Sequence, residues 1–83
     1  MEQTVIRERI RMMLNTGELP CEEPEATWGS NGDGKRCAGC REPIRPDEIE
    51  YEVSLTSGAL IRLHRQCHAI WLEECETFMG ARP

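Results

Sequence analysis

The sequence predicts a small α+β fold: an N-terminal helix, a linker, then a cysteine-bearing knuckle, a β-hairpin and a C-terminal helix. Three observations carry this expectation. Four residues with soft or borderline donor atoms fall in two tight pairs, Cys37-Ala38-Gly39-Cys40 and His64-Arg65-Gln66-Cys67, which read C-x2-C and H-x2-C. Between the pairs, residues 48–55 alternate apolar and polar as a half-buried strand does. After them, apolar residues recur every three or four positions, the period of a helix face.

The first expected element is an amphipathic helix over residues 3–16. Ile6, Ile10, Met13 and Leu14 share one stripe, with Arg7 and Arg11 facing away, Thr4 near the cap and Gly17 as the stop. The stripe has two readings, a face that lies on the metal core or a docking face for a partner or a second copy of the chain. Residues 18–34 follow as an acidic linker, broken by Pro20, Pro24, Gly29, Gly32 and Gly34 and mobile around 30–34. Trp28 either pins this linker to the core or stands out as an anchor for a partner. Cys21 reads as a free thiol rather than a fifth ligand or a redox switch. The expected organisation is therefore 1–17 helix, 18–34 linker and 35–83 metal-binding domain.

The knuckle needs Gly39 because a tight turn favours a residue free of the Cβ penalty at positive φ. In the hairpin, Ile49, Tyr51, Val53 and Leu55 share a face, and the chain turns at Ser57-Gly58-Ala59. A three-residue loop with Gly58 left-handed sets Val53 opposite Leu63 and Leu55 opposite Ile61. That register also sets Glu52 against His64, where its carboxylate orients the imidazole. The final helix is expected over 65–78, with Cys67, Ile70, Trp71, Cys75 and Phe78 facing inward and Leu72 and Met79 widening the arc as a landing surface. His68 reads as a packed or supporting histidine, since Cys67 suits a thiolate-rich site better.

Composition agrees with a metal-stapled module. With 83 residues, 5% aromatic and 30% charged, burial of apolar surface alone makes a thin core. Cys37, Cys40, His64 and Cys67 match the Cys3His set of a structural Zn2+ site, one ion per chain. Five cysteines do not close a disulfide set, and neither an apolar leader nor a run near 20 apolar residues stands out. A chain of the reducing cytoplasm, with no membrane partner, is expected.

Knuckle, hairpin and a helix supplying ligands from its first turn resemble a treble-clef zinc finger. The C-x2-C then H-x2-C order is similar to the first zinc site of LIM domains, although no second set of four ligands follows. Short bacterial zinc-finger proteins look similar too, through the leading helix, the Pro/Gly stretch and the run EPIRPDEIEYEV at 42–53. These resemblances imply a fold and a metal, and treble-clef units serve binding to proteins and nucleic acids more often than catalysis.

On function, a closed Cys3His site lacks the open position that catalytic zinc keeps, and no further acid–histidine cluster appears, so neither an enzyme nor a small-molecule substrate is expected. The expected role is a protein-interaction or regulatory adaptor. The alternative is a nucleic-acid-binding regulator using Lys35, Arg36, Arg41, Arg45, Arg62 and Arg65. A net charge of −5 argues against a general polyanion binder, and Arg36, Arg41 and Arg65 have a second use in offsetting the charge of three thiolates.

Overall fold

The computed structural model describes residues 2–80. Helix α1 spans Gln3–Thr16, followed by strands β1 (Pro24–Asn31), β2 (Ile49–Leu55) and β3 (Leu60–His64), and helix α2 (Arg65–Gly80). The strands form one antiparallel sheet in the order β1-β2-β3. Helix α2 packs on β2 and β3 on one side and on α1 on the other.

Helix α1 matches its expected limits. Its N-cap is Glu2, whose carboxylate accepts from the Thr4 amide, and Gly17 ends it in the left-handed region at φ 83°. The stripe Ile6, Ile10, Met13 and Leu14 is buried, and it joins Ile70, Trp71 and the cysteines in one core. These four side chains are therefore committed within the chain and do not form a partner or dimer face. Burying a large apolar side chain is worth about 1.5–3 kcal/mol, which explains why the stripe finds α2. Arg7 and Arg11 do not face away either. They reach Glu74 at 2.7 and 2.8 Å, and Arg7 also reaches Glu73 at 2.6 Å.

The expected linker contains a strand. Pro24–Asn31 pairs along the whole of β2, with an irregularity between Pro24 and Ala26. Pro and Gly are tolerated because β1 is an edge strand. Gly32, just past the strand, is the glycine its neighbours require: a Cβ there would collide with the Ile44 and Arg45 carbonyl oxygens, whereas one at Gly29 would only touch the Tyr51 ring at 3.4 Å. The segment before β1 is also held. Leu19 is buried, Trp71 Nε1 donates to the Pro20 carbonyl at 2.9 Å, and Glu22 accepts from the Thr56 hydroxyl and the Ser57 amide of the hairpin loop. Trp28 itself does not pin this segment, since the residue is 52% exposed.

The hairpin has the expected three-residue loop, with Gly58 at φ 93°, but shifted by one residue to Thr56-Ser57-Gly58. The Leu55 amide donates to the Ala59 carbonyl at 2.9 Å. Val53 accordingly faces Ile61, Tyr51 faces Leu63, Glu52 faces Arg62 and Glu50 faces His64. The acids of β2 are not a solvated face: Glu50 is buried, and Arg62 reaches Glu50 at 3.6 Å and Glu52 at 3.0 Å. On α2, Cys67, Ile70, Trp71, Glu74 and Cys75 are buried. Leu72 and Met79 are exposed, and the α1 stripe lies in the core cluster without them.

Candidate metal centre

The knuckle is assembled by backbone geometry before any side chain is considered. The Cys37 amide donates to the Glu42 carbonyl at 2.9 Å, and the Arg41 amide to the Cys37 carbonyl at 2.9 Å. The Ala38 amide then donates to the Arg62 carbonyl at 2.7 Å, which anchors the turn on β3. Gly39 is needed for space rather than for a positive φ: an added Cβ meets Cys67 Cβ at 3.0 Å and Ile10 Cδ1 at 3.2 Å. The left-handed residue of the turn is Arg41, at φ 70°.

The second ligand pair straddles a junction. His64 is the last residue of β3, and Cys67 lies in the first turn of α2. The strand fixes the imidazole and the helix fixes the thiol. The donor atoms of Cys37, Cys40, His64 and Cys67 all lie within 4.8 Å of one another. His64 Nδ1 is 3.3 Å from Cys40 Sγ. The three cysteines are buried, and the outer rim of the set, with Cys40, His64 and Cys67, faces an open groove of about 690 Å³.

The thiols are prepared unequally. Cys37 is pushed down to about 4, first by a hydrogen bond from the Cys67 thiol, against burial, and then by the amides of Cys40, His64 and Gly39. The amides of Gly39 and His64 each stand 3.3 Å from its sulfur. The same contact with Cys37 raises Cys67, and burial raises Cys40. An entering cation would offset the mutual repulsion and favour the ionised form of all three thiols. Binding a metal therefore releases protons. Four donors at these separations, three of them sulfur, fit a single ion in tetrahedral coordination.

The residue supporting His64 is not Glu52. Glu52 is drawn to Arg62, and Glu48 Oε1 stands 3.3 Å from His64 Nε2. Glu48 is itself held by a tight turn: its carboxylate accepts from the Arg45 amide at 2.9 Å, and its own amide donates to the Arg45 carbonyl at 2.9 Å. The Arg45 amide, against burial, and the nearby His64 keep its carboxyl below the usual range. His64 moves upward: burial works against this, but contacts with Cys37 and Glu48 outweigh it. The signal for Glu48 was the turn-forming pair Pro46-Asp47 before it. His68 takes no part in the metal set. Its ring stacks on Tyr51 with centroids 4.6 Å apart, and burial lowers its pKa.

The six bases around the knuckle are largely spent within the chain. Lys35 pairs with Asp33 at 3.0 Å, Arg41 with Glu18 at 3.1 Å, Arg45 with Asp47 at 3.6 Å, and Arg62 with Glu50 and Glu52. Arg36 donates to the Arg41 carbonyl at 2.8 Å. Of the six, Arg65 alone makes neither an ion pair nor a hydrogen bond with a described residue. No helix among the described residues is long and apolar enough to cross a membrane. Comparison with family models, curated proteins and solved structures gave no match, so the centre is characterised by its own geometry.

Proposed function

We propose that this chain is a zinc-stabilised binding module that engages a protein partner and carries out no catalysis. The observation behind this reading is the complete Cys3His set, with its three thiols buried. Three thiolates and an imidazole favour Zn2+ over the hard cations, and four protein ligands leave no coordination position for a substrate. The order of knuckle, hairpin and helix, with ligands from the knuckle and the helix start, supports a treble-clef reading. Reduced thiolates suit a reducing compartment such as the cytoplasm.

The partner surface is the free edge of β1. Its eight residues carry one ionised side chain, Glu25, and an exposed Trp28. It has neither the mid-strand proline nor the lysines that commonly blunt an edge. An uncharged extended segment of a partner protein fits there, adding a fourth strand and covering the indole. Nucleic acid is disfavoured by the internal ion pairs of Lys35, Arg41, Arg45 and Arg62.

The test is a peptide selection against the zinc-loaded chain, followed by amide shift mapping. Bound peptides are expected to perturb residues 24–31 and the Trp28 indole, and Trp28→Ala is expected to abolish binding without lowering thermal stability. Binding to single-stranded or duplex DNA that weakens steeply with salt and is lost in Arg65→Ala would replace this reading with the nucleic-acid one.

A further inference from the structure

Outside the metal set the chain carries two more thiols, Cys21 and Cys75. They are far apart in sequence, and the fold brings them together. Trp71 Nε1 holds the Pro20 carbonyl at 2.9 Å, which fixes the connector between α1 and β1 against α2. Cys75 lies one turn after Trp71 on the same buried face. Cys21, the residue after Pro20, packs against the core cluster that contains Cys75, and it is the neighbouring thiol that acts on Cys75. Cys75 is 8% exposed, whereas Cys21 is half-buried. Neither belongs to the four metal donors.

We propose that Cys21 and Cys75 form a reversible disulfide site, separate from the metal centre, that responds to hydroperoxides. Cys21, the more accessible of the two, attacks the peroxide as thiolate. The O–O bond breaks, Cys21 becomes a sulfenic acid, and the second oxygen leaves as water or an alcohol. Cys75 then attacks the Cys21 sulfur. The S–S bond forms, the S–O bond breaks, and hydroxide leaves with the Cys75 proton as water. Two thiols have lost two electrons and two protons, and one peroxide has been reduced.

The pairing gives each cysteine its part. Cys75 is shielded, and burial and its neighbour Cys21 raise its pKa, so it is a poor target for an external oxidant. It becomes reactive only toward the sulfur already beside it. Cys37, Cys40 and Cys67 are occupied when the metal is bound. The bond would staple the connector to α2, and with it the two elements the connector joins. An external dithiol reverses the reaction by exchange.

The experiment uses the full zinc-loaded chain and one equivalent of hydrogen peroxide. The expected result is one intramolecular cross-linked peptide containing Cys21 and Cys75, an intact mass lower by two hydrogens, unchanged zinc content and full reversal by dithiothreitol. Cys21→Ser, at a half-exposed position, is expected to fold, to bind zinc and to leave Cys75 reduced under the same exposure. Oxidation of Cys37, Cys40 or Cys67 with zinc release before the cross-link forms would overturn the proposal. So would Cys21 stopping at a sulfenic acid beside a reduced Cys75, a Cys21–Cys21 link between two chains, or no reaction.

Discussion

Glu48 and His64 meet through the imidazole edge that faces away from the sulfur cluster, Oε1 to Nε2 at 3.3 Å, while Nδ1 looks toward Cys40 at the same distance. A carboxylate there fixes the tautomer with its proton on Nε2 and leaves Nδ1 as the donor to a metal. Glu48→Gln is therefore expected to lower zinc affinity by about 10–100-fold, with the fold retained at saturating metal. Glu52→Gln, which touches Arg62 instead, is expected to leave affinity unchanged. A competition titration against a chromophoric chelator measures both, and equal effects would remove the assignment of Glu48.

Removing the ion should unfold more than the knuckle. The four donors tie the turn at 37–40 to the junction of β3 and α2, and structural zinc contributes ~10–16 kcal/mol of binding free energy to a fold of this kind. Chelation, or Cys37→Ser, Cys40→Ser, His64→Ala or Cys67→Ser, is expected to abolish cooperative thermal unfolding and most of the helical circular dichroism. Metal analysis should give one zinc per chain in the parent and in Cys21→Ser. A chain that keeps its unfolding transition without metal would show that the core stands alone.

Glu74 contributes to the loss of stability on the acid side. Its buried carboxylate is hydrogen-bonded first by Arg11, against burial, and then by Arg7, and its pKa lies below the ordinary value. A folded pKa below the unfolded one adds stability that is present at neutral pH and lost as pH falls through the folded value. Glu74→Gln is expected to cost about 1–3 kcal/mol at pH 7. The difference from the parent should shrink on acidification below the ordinary carboxylate range. Chemical denaturation at a series of pH values reads this directly, and a gap that widens toward low pH would contradict it.

The α1 stripe and the knuckle form one packing unit. Ile10 is fully buried, and its Cδ1 lies 3.2 Å from where a Gly39 Cβ would stand. Ile10→Ala is expected to cost about 2–5 kcal/mol. Gly39→Ala is expected to destabilise by overpacking against Cys67 and Ile10, by about 1–3 kcal/mol. Zinc-loaded variants compared by denaturant midpoint decide this, and a silent Ile10→Ala would place α1 outside the core.

What could be read from the sequence was local. The ligand pairs, the α1 limits with Gly17 and the three-residue loop with Gly58 depend on short spacings, and all appear in the fold. The hairpin register did not follow, for a physical reason: sliding β3 by two residues keeps every side chain on its face, so Val53 meets an apolar partner in Ile61 or in Leu63. Only the placement of the loop separates the two arrangements. Strand β1 was hidden because Thr27 and Trp28 sit among prolines and glycines, and their strand geometry comes from pairing with β2. Arg7 and Arg11 looked solvated because their partner, Glu74, lies at the far end of the chain.

The placement of α1 and β1 ahead of every metal donor has a consequence for synthesis. A chain grows from its N-terminus, so the Ile6–Leu14 stripe and β1 are made before the residues they rest on. Helix α1 waits for Ile70 and Trp71, β1 waits for β2, and the ion cannot be gripped by all four donors until Cys67 has emerged. Until Ile70 and Trp71 are made, the stripe of α1 therefore stays uncovered, and β1 stays unpaired until residues 49–55 follow it.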